Sequence, residues 1–309
     1  MMSHAQERSG SRGRDGDGRR ELGMQSKRVR HEGYWTARAP GQLVARLTSR
    51  PRLVPSFLVI GTKRGGSTSL YEYVIRHPRV AGCLLKKGSH YFDVNFRRGW
   101  IWYWSVFPAD AGRDVITGEA SPYYMFHPLA PQRIAAALPE TRLIAVLRDP
   151  VDRAWSHYQY ERRLGGERLP FQQALEREPE RLAGEVERML VEPGYSSFAH
   201  RHFSYLARGR YAEQLERVYA LVPPSRVLVL QSEALFADPG GALARLWRFL
   251  DLEPYQFGQA RVFKAGRYAE QMPGTARRWL ERYFADHNQR LYRLPGIDFR
   301  WPAPAGHGS

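Results

Sequence analysis

The stretch Phe57-Leu-Val-Ile-Gly-Thr-Lys-Arg-Gly-Gly-Ser-Thr-Ser-Leu70 constrains the fold more than any other part of the chain. Phe57 to Ile60 is a short apolar run of strand type. A basic glycine turn follows, then the start of a helix. Gly61, Gly65 and Gly66 allow backbone conformations that other residues resist. Ser67, Thr68 and Ser69 offer hydroxyls that can cap the helix. Such a turn aims backbone N–H groups and a helix dipole at one spot, which suits a phosphate or a similar anion. Lys63 and Arg64 add positive charge there. The alternative is a basic turn with no ligand.

The spacing departs from the nucleoside-triphosphatase P-loop, in which lysine directly follows the last glycine of G-x-x-x-x-G-K-[ST]. Here Ser67 follows Gly66, and the basic residues precede the glycine pair.

Two further apolar runs share the strand character. Leu143-Ile-Ala-Val-Leu147 ends in Arg148-Asp149-Pro150, and Val227-Leu-Val-Leu230 ends in Gln231-Ser-Glu233. Continuous apolar runs fit strands covered on both faces. Helical periodicity follows each run: Leu70, Tyr73 and Val74; then Val151, Ala154, Trp155 and Tyr158; then Ala242, Leu246, Phe249 and Leu250. This alternation predicts an α/β fold, a single domain with a central, mainly parallel sheet flanked by helices. Ligands of such folds gather at the carboxyl ends of strands. Residues 161–222 read as mostly helical, with breaks at Gly165-Gly166 and Pro193-Gly194. A last helical run extends from Thr275 to about Leu294.

The chain has 309 residues, enough for one large core. Residues 1–33 are rich in Arg, Gly, Asp and Ser and read as a disordered basic leader, in which Met24 rivals Met1 as a start. The domain is expected over residues 52–301, with a frayed tail at 302–309. No apolar stretch of about 18 residues or more is present, so no membrane span is expected. The single cysteine, Cys83, excludes an internal disulfide and a cysteine zinc site, and a cytoplasmic setting follows most simply.

The net charge of +16 admits nucleic acid as a partner, but the arginines are dispersed and no nucleic-acid motif accompanies them. An acidic small ligand or acceptor explains the charge as well, and nucleic acid is not expected. Of 47 basic residues only five are lysine, leaving 42 arginines. Lys63, Lys86, Lys87 and Lys264 all fall in segments read here as ligand contacts.

Arg148 closes the second strand, Asp149 is placed as N-cap and Pro150 at N1 of the next helix. Ser156 lies two turns in. A guanidinium beside a helix N-terminus makes a phosphate fork. The alternative is a structural bridge from Arg148 to Asp149 or Asp152.

Together the segments Phe57–Leu70 and Leu143–Tyr158 resemble the two phosphate-binding segments of sulfotransferases that use 3′-phosphoadenosine 5′-phosphosulfate (PAPS). The family including heparan sulfate and related carbohydrate sulfotransferases, with bacterial relatives, is the nearest in look. The resemblance spans residues 55–301. It includes Gly88-Ser-His-Tyr-Phe-Asp93, Gly118-Glu-Ala-Ser-Pro-Tyr-Tyr124, Tyr205-Leu-Ala-Arg-Gly-Arg-Tyr211 and Lys264-Ala-Gly-Arg267. It implies the P-loop-like sulfotransferase fold and in-line transfer of a sulfuryl group from PAPS to a hydroxyl or amine of a glycan, lipid or small molecule. It implies no metal. Lys63, Arg64, Gly65, Gly66, Ser67, Thr68 and Ser69 would hold the 5′-phosphosulfate, and Arg148 and Ser156 the 3′-phosphate. Lys264, Gly266 and Arg267 would close over the nucleotide. Two departures stand out: Arg64 occupies a position that the family usually fills with lysine, and Gly88 one that it often fills with a glutamate base. His90 and Glu119 are the candidate bases, with Asp93 a third or a structural residue, and Lys63 and Arg64 are the electrostatic clamps on the leaving phosphate. Trp100, Trp102, Tyr103 and Trp104 read as core packing first and as an acceptor surface second. The competing readings are a P-loop nucleotide kinase or triphosphatase and a non-catalytic PAPS-binding protein.

Overall fold

The computed structural model describes residues 51–110, 114–256 and 270–302. The leader, most of the tail and the Lys264–Arg267 loop lie outside the described residues.

Five parallel strands form one sheet: β1 (Pro55–Gly61), β2 (Val80–Gly82), β3 (Ile116–Ala120), β4 (Arg142–Leu147) and β5 (Val227–Gln231), in the order β2-β3-β1-β4-β5. The three apolar runs became β1, β4 and β5, side by side. Their side chains are buried on both faces: Phe57, Leu58 and Val59 have no exposed surface, and Ile144 to Leu147 have none either. That is the reason for continuous rather than alternating hydrophobicity. The sequence reading lacked β2 and β3. Ile116-Thr-Gly-Glu-Ala120 carries a carboxylate and a glycine, so it has no apolar signature. It nonetheless pairs with β1 in register, Leu58 opposite Glu119 and Val59 opposite Ala120.

The crossover from β1 runs through α1 (Ser67–Val74) to β2, at the far edge. After β3 the chain returns to the other side of β1 as β4. The strand order therefore reverses around β1, and the crevice outside its carboxyl end is the ligand position of such sheets. Between β2 and β3 lies α2 (Gly99–Trp104), and between β3 and β4 lies α3 (Ala130–Ala137). After β4, α4 (Pro150–Arg163) opens as expected: Asp149 caps it, accepting from the backbone N–H of Val151 at 2.8 Å, with Pro150 next. Short helices α5 (Phe171–Glu176), α6 (Glu178–Leu182), α7 (Glu185–Val191), α8 (Phe198–His202) and α9 (Tyr211–Tyr219) follow, so the region read as helical is helical but finely divided. β5 leads to α10 (Ser232–Ala237) and α11 (Pro239–Phe249), and the chain reaches α12 (Gly274–Leu291) last.

Two apolar clusters result. One surrounds the sheet. The other packs Val151, Ala154, Trp155 and Tyr158 of α4 against Phe171, Leu175, Leu280 and Phe284. The aromatic run, read as core packing first, is only partly core. Trp102 and Tyr103 are buried, and Tyr103 stacks on Tyr91 at 4.6 Å, while Trp100 is 39% exposed.

Asp149 caps α4 at some cost, since burial first, and then the neighbouring Asp152 charge, raise its carboxyl to about 6. Asp149→Ala is expected to lower stability by about 1 kcal/mol in urea denaturation. Asp149→Asn, which caps without ionising, is expected to match or exceed the native protein at pH 7. A loss in the Asn variant equal to that in the Ala variant would contradict this role for Asp149.

Candidate active site

The glycine turn sits where β1 and β4 end together. Gly61 lies opposite Ala145, and the N–H of Thr62 donates to the carbonyl of Val146 at 3.1 Å. Gly66 has φ +101° and is the N-cap of α1 without any side-chain cap. A methyl group on Gly65 would lie 2.6 Å from Thr62 Cγ2 and closer still to the Val146 carbonyl. Both glycines are therefore required by the turn itself. The hydroxyls expected to cap α1 do not: Ser67 and Thr68 lie inside its first turn and accept from Lys87 Nζ at 3.1 and 2.9 Å. Lys87 was missing from the expected site residues. The scarcity of lysine had placed its segment among the ligand contacts without giving it a partner.

The second anion corner adjoins the first. Arg64 Nε donates to Ser156 Oγ at 3.0 Å. Lys63 Nζ donates to Glu161 Oε1 at 2.7 Å and to the carbonyl of Arg201 at 3.3 Å. Arg64 also lies over the ring of Tyr160, 5.0 Å from its centroid. Arg148 stands at the end of β4, its carbonyl held by the Tyr211 hydroxyl at 2.8 Å. The alternative bridge is absent among the described residues: Asp149 caps α4, and Asp152 pairs with Arg277 at 2.6 Å. Lys63, Arg64, Gly65, Gly66, Ser67, Thr68, Ser69, Arg148 and Ser156 are thus brought to one end of the sheet.

The segment from Lys87 to Asp93 borders this corner. At Gly88 an added methyl would lie 2.6 Å from Ser121 Oγ and closer to the Ala120 carbonyl, so no glutamate fits there. Two residues on, His90 Nδ1 is 2.8 Å from Asp93 Oδ2 in a pair that is almost wholly buried. Burial works to raise the Asp93 carboxyl, but the charge and hydrogen bond of His90 overcome it and hold the group below its ordinary value. An ionised Asp93 only accepts, so His90 Nδ1 carries the hydrogen. In the neutral ring the basic lone pair is then on Nε2.

Glu119 takes a different part from the one expected. It has no exposed surface. Ser89 donates to it through both its backbone N–H and its hydroxyl, the latter at 2.8 Å; Tyr124 donates at 2.8 Å and Ser121 at 3.1 Å. Burial raises its carboxyl. Both oxygens are engaged within the protein, so Glu119 anchors the Ser89–His90 segment and does not meet an acceptor. Its expected role as a base is corrected on that ground.

A carboxylate that the sequence reading overlooked completes the site. Glu161, 2% exposed, faces Lys63, His202 Nδ1 at 3.1 Å and His157 Nε2 at 3.4 Å. In sequence it looks like any acidic residue near a helix end.

This geometry agrees with comparisons to known proteins. The sulfotransferase domain model matches residues 55–265. The chain belongs to the sulfotransferase family. It is 30% identical to human heparan sulfate glucosamine 3-O-sulfotransferase 6 over 294 residues, covering 85% of this chain and 78% of that protein. It is 29% identical to mouse heparan sulfate glucosamine 3-O-sulfotransferase 3A1, covering 85% of this chain and 68% of the relative. The crystal structure of a sulfotransferase from Alicyclobacillus acidocaldarius superposes with a TM-score of 0.66 at 27% identity, over 80% of this chain and 97% of that one. The chain is a sulfotransferase, and the nucleotide kinase reading falls.

Buried histidines make this sulfotransferase sensitive to acid. Burial lowers His127 and His202 to about 4, His200 to about 2, and His157 well below its ordinary value. Each stays neutral when folded but takes a proton near pH 6.5 when unfolded, so stability falls as pH drops below that value. Each contributes up to about 1.4 kcal/mol per pH unit in that window. Glu178, raised by burial to about 7, and Asp149, raised to about 6, act in the opposite direction. The four histidines outweigh them, and urea midpoints are expected to fall from pH 7 to pH 5. Equal or higher stability at pH 5 would contradict this balance.

Proposed function

We propose that this sulfotransferase moves the sulfuryl group of PAPS to a hydroxyl of a carbohydrate acceptor, with His90 as general base. The observation that carries the donor part is the 3.0 Å bond from Arg64 to Ser156, which joins the two anion corners into one basin. One ligand with phosphates at both ends spans such a basin. The N-terminus of α1, the turn amides, Lys63 and Arg64 suit the 5′-phosphosulfate. Arg148 and Ser156 suit the 3′-phosphate. Lys264, Gly266 and Arg267 remain proposed as a covering loop. The carbohydrate acceptor rests on the relatives, which are named for heparan sulfate glucosamine. The single cysteine, buried and outside any disulfide, supports a reducing, cytoplasmic setting as part of the same proposal.

The chemistry is a displacement at sulfur. The acceptor oxygen forms its bond to sulfur as the bond from sulfur to the phosphate oxygen breaks. The electron pair leaves with the phosphate, and the fixed cations of the turn stabilise the charge that develops there. The acceptor's proton goes to His90 Nε2, and Asp93 stabilises the imidazolium through Nδ1. Gly88 leaves no room for a carboxylate base, so the duty passes two residues along the same segment. Lys87 ties that segment to the first turn of α1, which fixes the base relative to the donor.

Two measurements test the proposal. Calorimetry should find 3′-phosphoadenosine 5′-phosphate (PAP) binding without magnesium, and ATP binding far more weakly. With radiolabelled PAPS and heparosan-derived oligosaccharides as the first acceptor probe, His90→Ala should lower turnover about 10²-fold or more while PAP affinity holds. Turnover in His90→Ala equal to that of the native enzyme would remove His90 from the mechanism.

A further inference from the structure

We infer that Glu161 is a positioning residue that holds the Lys63 side chain as a charged clamp for the donor's phosphosulfate, with His202 fixing the carboxylate from the opposite side. The inference rests on the donor reading above and adds a residue that neither the turn motif nor the second anion segment contains.

Lys63 is 18% exposed and Glu161 2% exposed, so the 2.7 Å pair is largely out of water. Around the amine stand Glu161, His157 and Tyr160 from α4, His202 and Arg201 from α8, and Arg208 further along the chain. Both histidines are held neutral by burial. Glu161 is thus the one anionic group among these neighbours, facing the guanidinium groups of Arg201 and Arg208. An ammonium in that setting is disfavoured first by lost hydration and then by like charge. A neutral amine would leave the departing phosphate without that cation. Glu161 opposes both effects by its charge and by accepting a hydrogen bond.

The geometry also aims the side chain. Ser156 and Tyr160 are one turn apart on α4, as are His157 and Glu161. Ser156 holds Arg64, and Glu161 holds Lys63, so both basic residues of the turn are tethered to one helix. That helix begins at the Arg148–Asp149 corner. His202 Nδ1 is 3.1 Å from the other Glu161 oxygen, and the Arg201 carbonyl accepts from Lys63 at 3.3 Å. The clamp is therefore braced from α8 as well. A turn lysine so held keeps its position without spending the conformational entropy of a free side chain on each donor encounter.

The test reads the amine directly. Competitive trace acetylation of the full chain, followed by peptide mass spectrometry over a pH series, resolves Lys63 among only five lysines. In the native protein Lys63 is expected to titrate near 8, lowered from 10.5 by burial first, and to be protected by PAP. In Glu161→Gln, which keeps the shape but not the charge, its midpoint is expected to fall by about 1–3 pH units. Glu161→Asp is expected to restore most of that shift, which a purely structural role for Glu161 would not do. An unmoved midpoint in folded Glu161→Gln overturns the inference. Should that variant fail to fold, the native protein still decides: a Lys63 midpoint below about 7, an amine left neutral at working pH, overturns it, and one at about 8 or above under PAP protection supports it. Calorimetry of PAP on the native protein separates the two levels. No PAP binding sinks the donor reading, whereas PAP binding with an unmoved Lys63 midpoint sinks only the part given to Glu161.

Discussion

The docking of the glycine turn onto α4 is the contact on which the rest of the site depends. A turn of glycines has no side chains to hold its shape, and its backbone amides are useful only if they point together. Here the holding is done by the two basic residues. Arg64 reaches Ser156, and Lys63 reaches Glu161. Because β1 and β4 are neighbours in a parallel sheet, the turn after one and the helix after the other emerge at the same end of the sheet. The same two side chains thus shape the turn and join it to the corner at Arg148.

The second element of the site is the segment from Lys87 to Asp93, which is built on the other neighbour of β1. Glu119 leaves β3 fully buried and collects the Ser89 backbone and hydroxyl, Tyr124 and Ser121. Burying a carboxylate is tolerable only when its oxygens are satisfied in this way. The result is a fixed platform for His90 and Asp93. It also explains a glycine at position 88. The backbone there lies so close to Ala120 and Ser121 that a side chain has no space, and the acid–base duty moves to an imidazole already oriented by Asp93.

Much of this was legible in the residues. Three continuous apolar runs marked β1, β4 and β5 because buried parallel strands need apolar side chains on both faces. Asp149-Pro150 marked the start of α4 through cap chemistry that is local to a few residues. The spacing from Arg148 to Ser156 put both on one short piece of chain, so their proximity needed no tertiary information. What escaped the reading was tertiary. β3 carries Gly118 and Glu119, and only the packing of Ser89 and Tyr124 reveals why a strand would bury a carboxylate. Lys87 and Glu161 meet the turn across 19 or 20 and 98 residues of sequence, respectively. The hydroxyls of Ser67 and Thr68 satisfy every local rule for a cap, yet Gly66 takes that place and Lys87 takes the hydroxyls.

The most direct measurement of the joined basin is a ligand-truncation cycle by calorimetry. PAP and adenosine 5′-phosphate, which lacks the 3′-phosphate, are each titrated into the native protein and into Arg148→Ala. In the native protein, losing the 3′-phosphate should weaken binding about tenfold or more, the scale of a charge-assisted contact. In Arg148→Ala the two nucleotides should bind almost alike. If the 3′-phosphate contributes equally in both proteins, Arg148 does not grip that end of the nucleotide, and the two corners do not serve one ligand.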